Sequence, residues 1–545
     1  MSDKRKPRAG IDRRSFIGSS VAAAGLYASG VLRRAWAQDI RLAKATRSVQ
    51  TASGNIQGVV LDGGVNAFYG VPYGASTAGA NRFLPPQKPT PWTGVKETTL
   101  VGYRSPQGAG PISEVAALDR QEPMSEDCLN LNVFTPALGR GDRPVMVWLH
   151  GGGFTSGSGN WLLYDGARLA RSQDVVVVPV THRLNVFGYL YLEELGGEQF
   201  KGASNVGMLD IVAALQWVRD NIAQFGGNPE NVTIFGQSGG GGKVGALLGM
   251  TPAKGLFHKA IGMSGALLQG VPKDRATETA QKFIAAVGAK SVAELQMLPT
   301  EQLRTTFVKT QGLTLQPTVD GHTLPAHPFT PSASALAAGI PLMMGTTEHE
   351  VNFFPNAVVD PIDDAELFTR VKQSVRTDDA TIKDVIALYR HNRPKVSNVE
   401  LYQIIASDNS FRVGVMTQTE RKAEQATSPV YQYYFRWQSL VRDGKLRAFH
   451  TLDIPFAFNN VEIATSMTGT AQSRYALATK VSSAFASFAR TGSPNTGGLP
   501  NWPQFDMKTR ATMAFNNDCE VINDPYREER LLLSLLRQAA ARSNS

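Results

Sequence analysis

The sequence predicts an α/β protein with a central sheet that is mostly parallel. Three short apolar runs of strand length lie at 145–149, 175–180 and 232–235. Between the last two runs, apolar residues recur at helical spacing over 209–218. Apolar strands that alternate with helices are typical of a parallel sheet with helices packed on its faces.

The predicted sheet continues well past residue 340. Further strand-like runs lie at 258–263, 341–344 and 430–435. Residues 273–335 and 360–425 are polar and helix-like, with weaker strand patterns. We therefore predict that these two segments are helical insertions, or a cap, over the edge of the sheet where the functional site lies.

Length and composition indicate a globular chain with a large core. Of 545 residues, 42% are hydrophobic and 19% are charged, which is not the composition of a disordered protein. The formal net charge is +9. Residues 1–37 hold eight basic and two acidic residues and so account for +6, which leaves +3 for the rest. Because no basic stripe with interleaved aromatic residues remains, we expect no nucleic-acid partner.

The first 37 residues resemble a twin-arginine export signal. A basic start and Arg13-Arg14 precede an apolar run at 21–26, and 35–37 reads Ala-Trp-Ala, as signal peptidase requires. We therefore predict cleavage after Ala37 and a periplasmic or secreted protein. No segment has the roughly 20 apolar residues that span a bilayer, so no stable membrane anchor is expected. An uncleaved basic arm is the alternative.

Cysteine usage limits covalent bracing to one bridge at most. Cys128 and Cys519 are the only cysteines in the chain. An oxidising compartment would permit them to pair, but sequence does not show whether the two sulfur atoms meet. A disulfide and two free thiols both stay open, and stability must come from the core.

A serine stands at the turn between a predicted strand and a predicted helix. Residues 236–240 read Gly-Gln-Ser-Gly-Gly and follow the strand that ends at Phe235. In this context the pattern is typical of a nucleophile elbow, a strained turn that lifts the hydroxyl above the sheet. The amides and the positive dipole end of the next helix face a developing anion. Ser238 is therefore the predicted nucleophile.

A glycine-rich loop supplies candidate donors for that anion. Residues 150–154 read His-Gly-Gly-Gly-Phe and follow an apolar strand. Glycine lets the backbone approach a substrate and turn its amides inward, and one such donor is worth about 10²- to 10³-fold in rate. We predict an oxyanion hole made by Gly152, Gly153 and Gly239. His150 is expected to hold the loop and not to act as a base.

Chain order and local composition select the base. The usual order of serine, acid and histidine leaves two of the eight histidines, His391 and His450. His391 lies in a polar, basic stretch with no neighbouring strand. Residues 448–456 are rich in aromatic side chains that can wall a pocket. His450 is therefore the predicted base.

The predicted acid follows the strand-like run at 341–344. Glu348 and Glu350 are both candidates, because positions i and i+2 of an extended chain point to the same side. Spacing alone leaves this choice open. The carboxylate would fix the imidazole tautomer and stabilise the imidazolium, and the other glutamate is expected to be a solvated surface residue.

Together these residues resemble the type-B carboxylesterase family, which contains cholinesterases and bacterial para-nitrobenzyl esterases. The resemblance covers nearly the whole chain after residue 37. Its signature segments lie at 68–73, 82–83, 125–133, 225–229, 236–240, 488–492 and 502–503. It implies an α/β-hydrolase fold, with one catalytic domain over residues 38–545.

The resemblance also implies residue roles and reveals departures from the family. Matching 345–354 to the family's acid motif implies that the triad acid is Glu350, although the usual Asp-Glu-Gly reads His-Glu-Val here. Ser264 lies where similar proteins have a serine that supports the acid. Gly239 replaces the usual alanine after the nucleophile. The family's frequent bridge from Cys128 to an upstream cysteine is missing.

The implied function is that of an exported serine carboxylesterase. It would hydrolyse carboxylic esters through an acyl-enzyme on Ser238, with His450 as general base and with no metal or other cofactor. Gln237 stands where similar enzymes acting on choline esters carry glutamate, so a small neutral ester is the expected substrate. The alternatives are amide, lactone or thioester hydrolysis by the same triad and a non-catalytic adhesion module of this fold. The oligomeric state stays open.

Overall fold

The computed structural model describes residues 44–109 and 114–543, so the predicted export signal at 1–37 lies outside the described residues. We number strands and helices in chain order. The strands are β1 (Lys44–Ala45), β2 (Val49–Thr51), β3 (Gly54–Gln57), β4 (Val59–Val60), β5 (Asn66–Pro72), β6 (Val95–Glu97), β7 (Asn130–Thr135), β8 (Gly139–Leu149), β9 (Val176–Val180), β10 (Phe225–Gln237), β11 (Lys259–Met263), β12 (Leu342–Thr347), β13 (Val430–Phe435), β14 (Ala511–Phe515) and β15 (Glu520–Asn523).

The helices range from single turns to a helix of 19 residues. They are α1 (Ala167–Gln173), α2 (Asn185–Tyr189), α3 (Glu193–Gly196), α4 (Val206–Asn221), α5 (Gly239–Leu247), α6 (Lys273–Val287), α7 (Val292–Met297), α8 (Thr300–Lys309), α9 (Asp364–Val375), α10 (Asp379–Asn392), α11 (Asn398–Ser407), α12 (Val413–Glu424), α13 (Ile454–Ala457), α14 (Thr465–Thr468), α15 (Ser473–Thr491) and α16 (Arg527–Ser543). A π-helical turn, Asp408–Arg412, joins α11 to α12.

Twelve of the strands form one sheet, in the order β1-β4-β5-β7-β9-β8-β10-β11-β12-β13-β14-β15. The seven strands from β9 to β14 in this order pair in parallel. The flanking pairs are antiparallel. The predicted α/β class with a mostly parallel central sheet is therefore confirmed.

The central strands are buried on both faces. In β8, Val145, Val147 and Leu149 belong to the core on one face of the sheet. Met146 and Trp148 belong to the core on the other face. Side chains alternate across a strand, so a strand covered on both faces needs apolar residues at consecutive positions. This burial explains why the central strands appear in the sequence as apolar runs.

The predicted elements coincide with the observed ones. Residues 145–149 end β8, 232–235 lie in β10, and 209–218 lie in α4. The polar segment 273–335 contains α6 to α8, and 360–425 contains α9 to α12. Both segments are therefore helical, as expected.

Three parallel strands end at the segments that carry the candidate site. β8 leads into 150–154, β10 ends immediately before Ser238, and β12 ends three residues before Glu350. Carboxyl ends of parallel strands meet at one edge of a sheet, where ligands bind in open α/β folds.

The two cysteines and the helices complete the description of the chain. Cys128 is buried, Cys519 is partly buried, and both are free thiols. Within 44–109 and 114–543, no helix is both long enough and apolar enough to cross a bilayer.

Candidate active site

Ser238 occupies a strained turn between β10 and α5. Its φ of 59° and ψ of −122° form a conformation that L-residues rarely adopt. The Ser238 amide donates to the Met263 carbonyl at 2.8 Å. A Cβ on Gly240 would lie 2.0 Å from the Leu149 carbonyl oxygen, and one on Gly236 would lie 2.6 Å from the Gly240 carbonyl carbon. Only glycine fits on both sides of this serine.

The predicted oxyanion donors lie at this turn and in the loop that faces it. Gly152 and Gly153 have φ values of 87° and 61°, which favour glycine. In the described part of the chain, the loops and turns supply no backbone carbonyl that accepts a hydrogen bond from the amide of Gly152 or Gly153. Gly153 and Gly239 line the same cavity as Ser238, whereas Gly152 is not among the described residues that line it.

The loop and the start of α5 lie in close contact. A Cβ on Gly239 would lie 2.1 Å from the Gly153 carbonyl oxygen. Such a separation is far below van der Waals contact, so a side chain at Gly239 would displace the loop.

Lys243 joins α5 to the same loop. Its side chain is fully buried, and Nζ donates to the carbonyls of His150 at 2.8 Å and Gly153 at 3.0 Å. Nζ also lies 5.6 Å from the centre of the Phe154 ring. Burial lowers the pKa of Lys243 to about 7. This lysine was not among the site residues that the sequence predicted.

His150, which the sequence predicts to hold the loop, lies behind it and contacts its backbone. Its Nδ1 donates to the Gly151 carbonyl at 2.8 Å, and its ring stacks on His182 at 4.9 Å. Burial lowers the pKa of His150 well below the ordinary value, and the charge of Lys243 lowers it further. A neutral imidazole is therefore favoured at this position, which suits a loop-holding residue.

His450 and Glu350 form a buried pair. The imidazole Nδ1 lies 2.5 Å from Oε2 of Glu350, and both side chains are almost completely buried. Oε1 of Glu350 accepts a hydrogen bond of 2.8 Å from the amide of Thr347. Glu350 begins a short 3₁₀ helix, Glu350–Phe353, which turns the chain after β12. The carboxylate is held by the backbone and can fix the tautomer of the imidazole.

The amide of Gln237 lies at the opposite edge of the imidazole. Its Nε2 lies 3.1 Å from Nε2 of His450. Since Nδ1 donates to Glu350, Nε2 is the acceptor and the glutamine amide is the donor. Among the described residues, no hydrogen bond joins the Ser238 hydroxyl to His450. The structure therefore places His450 beside the elbow, with its Nε2 engaged by Gln237, the residue before Ser238.

Three phenylalanines cover the imidazole. The rings of Phe353 and Phe354 each lie 5.6 Å from that of His450, and the Phe411 ring lies at 4.8 Å. The sequence suggested that the aromatic residues of 448–456 would wall the pocket. The rings against the histidine come from other segments instead, because contacts between distant segments leave no local pattern.

The rejected candidates for acid and base lie elsewhere. Glu348 is buried and accepts from Arg436 Nε at 3.2 Å, so the expectation that it is a solvated surface residue was wrong. β12 ends at Thr347, and an ion pair holds the carboxylate away from the solvent. His391 lies exposed in the last turn of α10.

Ser264 lies in the cavity wall, and its hydroxyl does not contact Glu350. The residue has a φ of 48°, and its amide donates to the Gly345 carbonyl at 2.7 Å. Its hydroxyl has no hydrogen-bond partner among the described residues. The predicted role of Ser264 in supporting the acid therefore stays a prediction, since no hydrogen bond joins its hydroxyl to Glu350 in the described structure.

The serine opens into a cavity of about 610 Å³. Its apolar wall is formed by four leucines, two phenylalanines and an alanine, which are Leu267, Leu268, Leu313, Leu315, Phe154, Phe411 and Ala266. Leu313 and Leu315 lie in the first predicted insertion and Phe411 in the second. The insertions therefore cover the site, and the cavity is large enough for a small organic ligand.

Serine hydrolases of the α/β-hydrolase fold share this arrangement, in which a strained serine lies between strand and helix near a histidine and its carboxylate. The chain belongs to the carboxylesterase family, whose model matches residues 45–533. It is accordingly a carboxylic-ester hydrolase, with a small-molecule ester as substrate.

Two curated relatives illustrate the similarity. The chain is 35% identical to the para-nitrobenzyl esterase of Bacillus subtilis (strain 168) over 506 residues, which cover 88% of this chain and 97% of the relative. It is 32% identical to liver carboxylesterase 1 of Mus musculus over 513 residues, which cover 84% of this chain and 88% of the relative.

Two solved structures have the same fold. The carboxylesterase EST55 of Geobacillus stearothermophilus, at pH 6.2, superposes with a TM-score of 0.78 at 34% identity and covers 90% of this chain and 100% of its own. An esterase from Clostridium hathewayi, described as able to hydrolyse aliphatic aromatic polyesters, has a TM-score of 0.78 at 33% identity. It covers 91% of this chain and 99% of its own.

Proposed function

We propose that Ser238 is the nucleophile, His450 the general base and Glu350 the orienting acid of a carboxylesterase that works through an acyl-enzyme. The observation that carries this proposal is the 2.5 Å contact between His450 Nδ1 and Glu350, next to the elbow that presents Ser238. A buried carboxylate on Nδ1 leaves Nε2 unprotonated and therefore able to accept a proton.

The chemistry follows from these positions. The Ser238 hydroxyl attacks the ester carbonyl and passes its proton to His450 Nε2, which forms a tetrahedral oxyanion and an imidazolium. The imidazolium gives the proton to the departing alkoxide, and the acyl group stays on the serine. Water then attacks the acyl-enzyme by the same route, releases the acid and restores the serine. Glu350 keeps its contact with Nδ1 throughout and stabilises the imidazolium.

The oxyanion would be held by the amides of Gly152, Gly153 and Gly239. The positive end of α5 and the buried charge of Lys243 lie on the same side of the site. Charge that is fixed in a dry site stabilises the transition state more than the neutral ester, which raises kcat.

Catalysis requires His450 to exchange partners. In the resting arrangement Gln237 donates to Nε2, so its amide must move before that nitrogen can accept the proton of Ser238.

Position 237 also bears on the substrate. An uncharged amide next to the nucleophile offers a cationic alcohol group no counter-charge, so choline-like esters are disfavoured. The leucine-rich wall favours apolar acyl or alcohol groups. A neutral ester is the class that these two features favour.

Covalent labelling tests the assignment of the nucleophile. A fluorophosphonate probe should modify Ser238, and Ser238→Ala should abolish both labelling and hydrolysis of para-nitrophenyl acetate. Ser410, which lines the same cavity, provides the matched control, and Ser410→Ala should keep both. Turnover by a folded Ser238→Ala protein would refute the proposal.

We also propose export through the twin-arginine pathway with cleavage near Ala37, on the basis of the sequence at 1–37. N-terminal sequencing of the exported protein should start near Gln38. Replacement of Arg13 and Arg14 by lysine should retain the precursor inside the cell.

A further inference from the structure

The cavity that holds Ser238 contains a single charged residue among the described residues that line it. That residue is Arg537, on the C-terminal helix α16. The other lining residues are apolar, glycine, hydroxyl or amide residues, and none of them is a carboxylate. A substrate in this cavity therefore meets one positive charge and no negative one.

The guanidinium of Arg537 has no acidic partner in the described part of the chain. It donates to the backbone carbonyl of Asn409, which lies in the π-helical turn. Burial lowers the pKa of Arg537, and no neighbouring carboxylate raises it. A guanidinium carries five N–H donors, so a carbonyl alone leaves much of its capacity unused.

Most of the buried arginines among the described residues pair with a carboxylate. Six of the seven do so, whereas Arg474 does not; the pairs are Arg82 with Glu126, Arg104 with Asp119, Arg183 with Asp210, Arg393 with Glu529, Arg412 with Asp408 and Arg530 with Asp524. Removing a guanidinium from water is costly unless an anion compensates for the lost hydration. Arg537, which is partly buried, has no such anion among the described residues.

The cavity wall leaves room next to the guanidinium. Gly414, in the first turn of α12, also lines the cavity, and a Cβ there would lie 3.5 Å from Nη1 of Arg537. Glycine at this position keeps a side chain away from the guanidinium face. A ligand group can therefore occupy that space.

We propose that Arg537 binds a carboxylate at the far end of the substrate, so that the preferred esters carry an acidic group, as half-esters of dicarboxylic acids do. This inference rests on the proposed function of Ser238. A carboxylate can accept two parallel N–H bonds from a guanidinium, and the interaction is strong where water is excluded. Gln237 argues only against a cationic substrate, so this proposal replaces the neutral ester favoured above by an ester with a remote negative charge.

A pair of isosteric esters tests the inference. Monomethyl suberate and methyl octanoate have the same chain length and differ in a terminal carboxylate against a methyl group. Their hydrolysis is followed by proton release, and the ratio of kcat/KM for the charged to the neutral ester is the readout. In Arg537→Met this ratio should fall by about tenfold to one-hundredfold. Arg537→Lys should retain part of it.

A matched control separates a local effect from a general one. Arg527 lies on the same helix with a largely exposed side chain and does not line the cavity, so Arg527→Met should keep the wild-type ratio. Should Arg537→Met fail to fold, the wild-type enzyme provides a second measurement. Its ratio should fall as ionic strength rises, because salt screens the interaction with the carboxylate.

The position of the acid on the substrate is tested with a second pair. In 6-acetoxyhexanoate the carboxylate lies on the alcohol side, and hexyl acetate is its neutral partner. A ratio of kcat/KM that falls in Arg537→Met for either pair supports the proposal. The pair that responds shows whether the carboxylate lies on the acyl or the alcohol part of the ester. Equal ratios in wild type, Arg537→Met and Arg527→Met, with hydrolysis of methyl octanoate that depends on Ser238, would overturn this inference alone. No hydrolysis of any ester would overturn the proposed function as well.

Discussion

Lys243 is a buried lysine whose hydrogen-bond partners are backbone carbonyls of the glycine-rich loop at 150–154. It fixes His150 and Gly153 while its charge lies next to the predicted oxyanion hole. Charge of this kind acts mainly on the transition state, where the oxyanion appears. We expect Lys243 to position the loop and to raise kcat more than it lowers KM.

Replacement of Lys243 by methionine should therefore lower kcat by about tenfold to one-hundredfold, with a smaller change in KM. Burial lowers the pKa of Lys243 to about 7, so its charge is present below that pH and lost above it. The ratio of wild-type to variant kcat should be largest below about pH 7 and shrink as pH rises above it. Lys201→Met, at an exposed lysine, is the control. A ratio that is independent of pH would contradict the assignment.

The same lysine gives stability a pH dependence of known sign. Its pKa is lower in the folded protein than the ordinary value of about 10.5. Between these values the unfolded chain holds more protons, so the contribution to the free energy of unfolding rises with pH. Urea denaturation should show wild type gaining stability relative to Lys243→Met from about pH 7 to about pH 10.

Gln237 competes with Ser238 for the base. Gln237→Leu removes the donor to His450 Nε2 and keeps an apolar group of similar size. One hydrogen bond between neutral groups is worth about 0.5–1.5 kcal/mol, so kcat/KM should rise by about two- to tenfold. Steady-state kinetics on para-nitrophenyl acetate measure the change. A decrease would show that the amide assists the chemistry.

At the scale of elements, α5 and the glycine-rich loop at 150–154 pack closely because glycine at position 239 carries no side chain. Lys243 draws the Gly153 carbonyl toward the helix, and this carbonyl then occupies the space that a side chain at Gly239 would need. Similar proteins usually have alanine at this position. The contact made by Lys243 and the absence of a side chain at Gly239 are therefore linked, because both depend on the position of the Gly153 carbonyl.

Gly239→Ala should displace the loop and lower kcat/KM by about 10²-fold, the effect of losing one oxyanion donor. Gly242→Ala is the matched control on the same helix, because a Cβ there would lie at an ordinary 3.4 Å from the Phe154 ring. Equal activity of the two variants would contradict the proposed fit. Near-normal melting temperatures should accompany both substitutions.

Sequence predicts those features of this fold and site that depend on local pattern. The strand at 145–149 and the elbow around Ser238 have local patterns, because alternation and glycine placement follow from backbone geometry. Spacing alone did not distinguish Glu348 from Glu350, because the strand ends at Thr347, before both of them, and strand alternation no longer applies there. Phe411 and Arg537 reach the site through tertiary contacts. A lone lysine in the small, apolar segment 239–247 was the one available indication of Lys243.

At the scale of the whole molecule, a core on both faces of the sheet must stabilise the chain without a covalent bridge. Cys128 and Cys519 are free thiols. We expect two reactive thiols on titration of the unfolded, unreduced protein, and no change in melting temperature with a reducing agent. Absence of thiol reactivity before reduction would show that the two cysteines are bonded.

Phe411 makes two contacts that matter for catalysis. It lines the substrate cavity, and its ring packs against the imidazole of His450. It belongs to the second insertion, a segment that could otherwise vary freely in length and sequence to suit new ligands. Replacing this segment by that of a relative would change both the substrate cavity and the surroundings of His450. A substitution at Phe411 that suits a new substrate would therefore also affect the turnover rate.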